Sequence, residues 1–288
     1  MRQKDSSSLK GSLYMILAAT LWSLGGLLSK AIPFHALTIS LVRGLLAAGI
    51  IGLIKGSFKF HFSRHHLWSG LFMFLTTVLF ISANKLTTAA NAIMLQYTSI
   101  IFIIILNRFL YQIKPHPVEK RTFLLVLLGM GLFFFQDIEF NARVGNLLAL
   151  ASGVCFAFVF VLNKNPKVDP LEATFIGQTM SIVLTPMLWI DSSLTFDFIP
   201  WILLIFMGLV QLGLGYAFFA KGIRHISALR ANLITAIEPI LNPLWVFIFL
   251  HEVISWYSIL GGLVIIGSII WMNISITSMT RKNIFIKQ

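Results

Sequence analysis

Two ionisable residues stand deep inside apolar runs, and they are the first candidates for chemistry. Glu238 ends Leu233-Ile-Thr-Ala-Ile-Glu and directly precedes Pro239, and Arg43 lies within Leu41-Val-Arg-Gly-Leu-Leu-Ala. A charge at the centre of a bilayer is costly, so such residues default to function. A carboxyl at Glu238 could coordinate a cation, relay a proton or bind a substrate amine; its structural alternative is a protonated Glu bonded across helices. Arg43 could meet a substrate carboxylate or serve as a counter-charge; its structural alternative is a buried pair or an anchor reaching toward the membrane edge. Pro239 removes a backbone donor and frees a carbonyl, which makes it a candidate hinge.

Around Glu238 the polar residues Asn232, Thr235 and Asn242 recur at three- and four-residue steps. That spacing places them on one helical face, and such a stripe faces protein or water rather than lipid. Elsewhere Gln211 and Tyr216 stand among Gly208, Gly213 and Gly215, Gln96 opens the run Gln-Tyr-Thr-Ser, and Trp22-Ser23 precedes Gly25-Gly26. A pocket with aromatic walls and a few polar groups is the usual recipe for a small-molecule site. The candidate substrate-binding set is Trp22, Gln96, Phe156, Gln211, Tyr216, Glu238 and Asn242, with Trp22 and Phe156 as walls. The lesser stripe Gln178-Ser181-Thr185 before Pro186 is read as helix-to-helix contact.

These residues need elements to hold them. The chain is 57% hydrophobic and 11% charged, with a mean hydropathy of +0.87. Soluble domains carry about 25% charged residues, so the composition is that of an integral membrane protein. Stretches of about 20 apolar residues can cross a bilayer, and ten are expected: 11–31, 36–54, 67–84, 89–109, 121–136, 144–163, 172–190, 199–220, 230–250 and 255–275. The first is read as a retained span and not a signal peptide. With the N-terminus in the cytoplasm, 18 Lys and Arg fall in or beside inner loops and three (Lys30, Lys85, Arg143) fall outside. That bias places both termini in the cytoplasm of a multi-pass protein of the cell (inner or plasma) membrane.

The two halves echo each other. Gly11–Lys30 returns at Gly145–Lys164 at an offset of 134, Thr88-Ala89 returns as Ser227-Ala228 at 139, and Gly129 as Gly267 at 138. Five spans per half would make the repeats inverted, an arrangement typical of secondary transporters. The expected fold is therefore all-α, with ten transmembrane helices as two inverted five-helix repeats. The domains are an N-terminal cytoplasmic segment 1–10, repeats at 11–136 and 144–275, and a cytoplasmic tail 276–288.

Other function classes find little support. The net charge of +12 sits in short loops as a topology signal, so no nucleic-acid partner is expected. Cys155 is alone, no histidine lies mid-span, and no nucleotide loop, H-E-x-x-H or paired-carboxylate motif occurs. No catalytic residue, metal or cofactor is expected. The partners expected are a small molecule, the lipid bilayer and protons as a candidate coupling ion; oligomeric state carries no signal.

The residues Ala-Ala-Thr-Leu-Trp22-Ser, Lys30, Leu-Val-Arg43-Gly-Leu-Leu-Ala, Ile226-Ser-Ala-Leu-Arg-Ala-Asn232, Glu238-Pro239, His251-Glu252 and Gly261-Gly262 carry a resemblance. Over nearly its whole length the chain resembles the drug/metabolite transporter superfamily, EamA-type. In the first half Ile100 stands in place of the proline matching Pro239, and Ile113 in place of the acid matching Glu252. The resemblance implies export of amino acids or related metabolites by alternating access, often with proton coupling. The alternatives are an uptake carrier of the same fold and a non-transporting membrane scaffold or subunit.

Overall fold

The computed structural model of the chain describes residues 2–133, 142–250 and 256–285. Among these residues it is all-helical, without a strand. In chain order the α-helices are α1 (Arg2–Trp22), α2 (Leu24–Ala31), α3 (Ala36–Lys55), α4 (Arg64–Leu86), α5 (Ala89–Gln96), α6 (Ser99–Tyr111), α7 (Pro117–Phe133), α8 (Arg143–Leu162), α9 (Pro170–Thr179), α10 (Met187–Ile190), α11 (Phe198–Phe206), α12 (Gly215–Ile223), α13 (Ala228–Thr235), α14 (Glu238–Leu250) and α15 (Trp256–Phe285). A 3₁₀ stretch at Met180–Leu184 follows α9, and a π-helical stretch at Met207–Leu214 links α11 to α12.

Eight helical stretches among the described residues are long and apolar enough to cross a membrane, from Ser7–Ala31 to Ile259–Ile276. The expected span 121–136 corresponds to α7, whose end adjoins 134–141, outside the described residues. The expected span 230–250 is divided between α13 and α14. The motif His251-Glu252 and the break Asp137-Ile138-Glu139 also lie outside the described residues. Both chain ends are more helical than expected. α1 begins at Arg2 rather than near Gly11, and α15 runs past 275 to Phe285. Backbone hydrogen bonding continues a helix beyond the apolar core, so hydropathy marks where lipid ends and not where the helix does.

Several spans are interrupted at mid-depth. α5 stops at Gln96 and α6 restarts at Ser99; α13 stops at Thr235 and α14 restarts at Glu238. The two breaks are 139 residues apart at both edges (96 to 235, 99 to 238). Pro239 explains the second break, since it sits in the first turn of α14 where its missing donor costs least. The first break has no proline; Ile100 stands where the second half has Pro239. Here Thr98 Oγ1 donates to the Leu95 carbonyl at 2.7 Å, a local bond that competes with the helix ladder. Gly153 of α8 lies against the turn, where an added Cβ would stand 2.7 Å from the Gln96 carbonyl oxygen.

The helices approach closely where small residues meet. A Cβ on Gly177 of α9 would lie 2.5 Å from the Gly70 carbonyl oxygen of α4, and one on Gly44 of α3 would lie 2.1 Å from Ser181 Oγ. Gly208 and Gly213 in the π stretch similarly admit Leu46 and Ile50 of α3. The fully buried side chains include Tyr97, Phe160, Phe219 and Met15.

At one rim, Asp191 after α10 ties α3 to the following loop. It accepts from Thr38 Oγ1 at 2.6 Å, from the His35 amide at 2.9 Å and from Ser193 Oγ at 2.5 Å. Burial pushes this carboxyl up, but the bonds from Ser193, Thr38 and the His35 amide outweigh it and hold the pKa at about 2, below the ordinary 3.8. A depressed carboxylate stabilises the fold above its unfolded pKa, and the gain is lost as pH falls through the folded value. Asp191→Asn is therefore expected to lower the thermal midpoint at neutral pH. The gap to wild type should begin to close below pH ~4 and vanish near pH ~2; a gap independent of pH would assign Asp191 no charge-dependent role.

Candidate functional site

The interrupted helices turn their broken ends toward one internal cavity. It is lined by Trp22, Arg43, Thr76, Thr77, Phe80, Gln96, Phe156, Gln211, Leu212, Tyr216 and Glu238. Six of the seven sequence candidates, together with Arg43, thus converge from separate elements. The side chain of Asn242 lies outside the described residues. Pro239 is buried behind Glu238 at the start of α14. The space traced by the centre of a water molecule is about 30 Å³, enough for a few waters. A metabolite needs more, so its entry requires the walls to part.

Each wall has a local cause. Trp22 ends α1, and its ring centre lies 4.9 Å from Tyr216 and 5.7 Å from Phe156. Gly215 makes room for it: a Cβ there would stand 2.6 Å from Trp22 Nε1. Gln211 lies in the π-helical stretch, and such stretches are frequent at functional sites because they re-aim side chains. Its Nε2 donates to the Trp22 carbonyl at 3.2 Å, beside the irregular Ser23. Gln96, the last residue of α5, donates to Ser152 Oγ at 2.7 Å, which in turn donates to the Thr76 carbonyl at 3.1 Å.

The charged pair is the chemical centre. Arg43 is 2% exposed, and its Nη2 donates to the Thr77 carbonyl at 2.9 Å. Glu238 is 3% exposed, and its Oε2 lies 2.9 Å from the Tyr97 hydroxyl. Tyr97 also donates to the Thr235 carbonyl. Among the described residues the ion pairs within 4.0 Å are Lys55–Glu172, His61–Glu172 and Arg224–Asp169. Arg43 and Glu238 therefore share a cavity without pairing with each other. Of the ten buried side-chain atoms without a hydrogen-bond partner among the described residues, three belong to the cavity lining: Trp22 Nε1 and Arg43 Nε, both donors, and Gln211 Oε1, an acceptor. Unsatisfied buried polar atoms are expensive, and a ligand that supplied one acceptor near Arg43 and a donor near Gln211 would relieve them.

Sequence reasoning missed five contributors. Thr76, Thr77 and Phe80 of α4 and Leu212 of the π-helical stretch line the cavity, and Tyr97 bridges α5–α6 to Glu238. Threonines in membrane helices usually bond their own backbone, and these do: Thr76 Oγ1 donates to the Phe72 carbonyl. Tyr97 had one available signal, its place beside Gln96 in a polar run. The stripe Asn232–Thr235–Glu238 needs correction. Only Glu238 of these three faces the cavity; Asn232 accepts from Ser99 Oγ at 3.3 Å and Thr235 offers its carbonyl to Tyr97. The break at 236–237 interrupts the helical period, so the spacing no longer defines one face.

The model of the EamA-like transporter family matches residues 9–135 and again 143–274. Similar proteins include an uncharacterized transporter of Archaeoglobus fulgidus, 26% identical over 211 residues, which covers 72% of this chain and 75% of its own. The uncharacterized transporter YwfM of Bacillus subtilis is 26% identical over 280 residues, covering 90% and 92%. A protein of known crystal structure, 18% identical, shares the fold with a TM-score of 0.76 over 91% of this chain and 96% of that one.

Proposed function

The chain belongs to the EamA-like transporter family, and from that premise we propose that it is a secondary active transporter exporting a small zwitterionic metabolite of the amino-acid class. The observation that carries this reading is Arg43 and Glu238, a basic and an acidic residue that line one cavity without pairing with each other. A carboxylate on the substrate fits the Arg43 fork. Its ammonium fits Glu238, and Trp22, Phe156 and Tyr216 flank the remainder. Gln96 and Gln211 supply amides for orientation, with Asn242 as a further contact one turn beyond Glu238.

Protons are the proposed coupling ion. Tyr97 has one hydroxyl hydrogen and two oxygens in reach. The Thr235 carbonyl can only accept, so Tyr97 donates there; its contact with Glu238 is then a hydrogen bond when Glu238 carries a proton. Substrate ammonium, in contrast, calls for an ionised Glu238. Proton and substrate thus compete for one carboxyl, and such competition makes a carrier an exchanger: a proton enters as substrate leaves.

Alternating access is proposed between two inverted repeats, 11–136 and 144–275, of five spans each, with both termini cytoplasmic. Support comes from the doubled family match, the paired helix breaks and repeated joints. Thr88 and Ser227 cap α5 and α13 alike, each accepting from an amide three residues on at 3.1 Å. Lys30 donates to the Thr87 carbonyl at 2.7 Å, and Lys164 to the Ile223 carbonyl at 2.9 Å. The broken helices, with Pro239 in the second, serve as hinges.

The test is counterflow of a panel of radiolabelled amino acids and their amine-only and acid-only analogues into proteoliposomes. The expected result is uptake of zwitterions above protein-free liposomes and poor uptake of both analogues. Absence of any counterflow across the panel would favour the scaffold reading.

A further inference from the structure

A second site lies far from the cavity, on the face where α1 meets α15. A groove of about 490 Å³, traced by the centre of a water molecule, runs between them. Its walls are the outward-facing Leu13, Ile16, Ile270 and Ile274, and at one end stands Arg230 of α13. Arg230 is 5% exposed. Its guanidinium donates to neutral groups: Ser8 Oγ at 2.9 Å, Ser12 Oγ at 3.3 Å and Asn273 Oδ1 at 2.5 Å. No carboxylate lies within 4.0 Å of it among the described side chains, which on α1 begin at Ser7. Glu119 is an electrostatic neighbour of Arg230 without touching it; its carboxylate accepts from Ser227 Oγ and from the His116 amide.

At the matching place in the first half, Asn91 stands for Arg230 (91 to 230 is 139) and Asn146 for Ser12 (12 to 146 is 134). There the contact is Asn91 Nδ2 to Asn146 Oδ1 at 2.5 Å, a neutral amide pair. A buried cation beside an apolar trough calls for a ligand with an anionic head and a long apolar tail.

We propose that this groove binds an anionic phospholipid, its phosphate on Arg230 and the Ser8 and Ser12 hydroxyls, one acyl chain along Leu13, Ile16, Ile270 and Ile274. The planar fork of arginine suits two phosphate oxygens at once. The bound lipid would staple α1 to α15, the first and last membrane helices among the described residues, and close the ring of helices around the transport cavity. The proposal is independent of what the cavity carries.

The experiment is native mass spectrometry and thermal unfolding of the full chain in detergent, titrated with phosphatidylglycerol, phosphatidylcholine or inorganic phosphate. Phosphatidylglycerol is expected to bind about tenfold more tightly than phosphatidylcholine, which carries the same phosphate but adds a choline cation that Arg230 repels, and free phosphate is not expected to displace it. Arg230→Gln should remove the preference. Because that variant alters a buried residue, Ile270→Trp provides a second arm: it fills the exposed groove, leaves Arg230 in place and should weaken both lipids. Equal binding of the two lipids, retention of the preference in Arg230→Gln, displacement by free phosphate, or a groove-dependent second copy of the chain in place of lipid would each overturn the proposal.

Discussion

Glu238→Gln is expected to abolish substrate accumulation driven by a pH gradient, down to the level of protein-free liposomes, while leaving substrate exchange measurable. The amide copies the size of a protonated carboxyl and can donate to Tyr97 from the position that lies 2.9 Å away. The Tyr97–Thr235 contact is untouched, so the bridge between α5–α6 and α13–α14 persists. Replacing one neutral hydrogen bond by another changes stability by no more than about 1 kcal/mol. What the amide cannot do is release a proton. If Glu238 were only a hydrogen-bonding strut, the same variant would keep full gradient-driven accumulation. Glu238→Ala separates the two roles, since it loses the strut as well and should also unfold at lower temperature.

Arg43→Gln is expected to weaken apparent affinity for carboxylate-bearing substrates by about 10- to 100-fold, the worth of a charge-assisted hydrogen bond. Amine-only analogues should be carried by the variant as well as by wild type. Saturation curves in counterflow measure this directly. Arg43 spends one donor on the Thr77 carbonyl and leaves Nε without a partner, so part of its hydrogen-bonding capacity is still available to a ligand. Arg43→Lys keeps the charge but loses the planar fork and should fall between the two. A purely structural Arg43 would give a different pattern: a lower thermal midpoint in Arg43→Gln with unchanged affinity for every substrate.

The cavity was legible in the sequence to the extent that its residues are costly in lipid. Glu238, Arg43, Gln96 and Gln211 stand out because an apolar span pays a penalty for each, and all four line the cavity. Trp22 and Phe156 were legible through their recurrence at equivalent places in the two halves. Thr76, Thr77 and Phe80 are cheap in a membrane helix, so nothing in their type marks them. Tyr97 needed the third dimension, because its partner Glu238 is 141 residues away. The helix break at Tyr97–Thr98 escaped notice for a related reason: hydroxyl-to-backbone bonds and the close approach of Gly153 produce it, and neither leaves a local signature as clear as proline. Fold class was the easier part, since long apolar runs in a chain with 11% charge admit few structures other than membrane helices.

The most direct test of a proton and a substrate competing at Glu238 is the internal pH of proteoliposomes, followed with a trapped dye while substrate is added outside. No gradient is imposed beforehand, and any zwitterion carried in counterflow serves as the substrate. The wild-type protein should move protons out of the lumen as substrate enters, and Glu238→Gln should give no pH change while still exchanging labelled for unlabelled substrate in vesicles preloaded with it. Substrate entry through the wild type without proton movement, or equal proton movement in Glu238→Gln, would contradict the account.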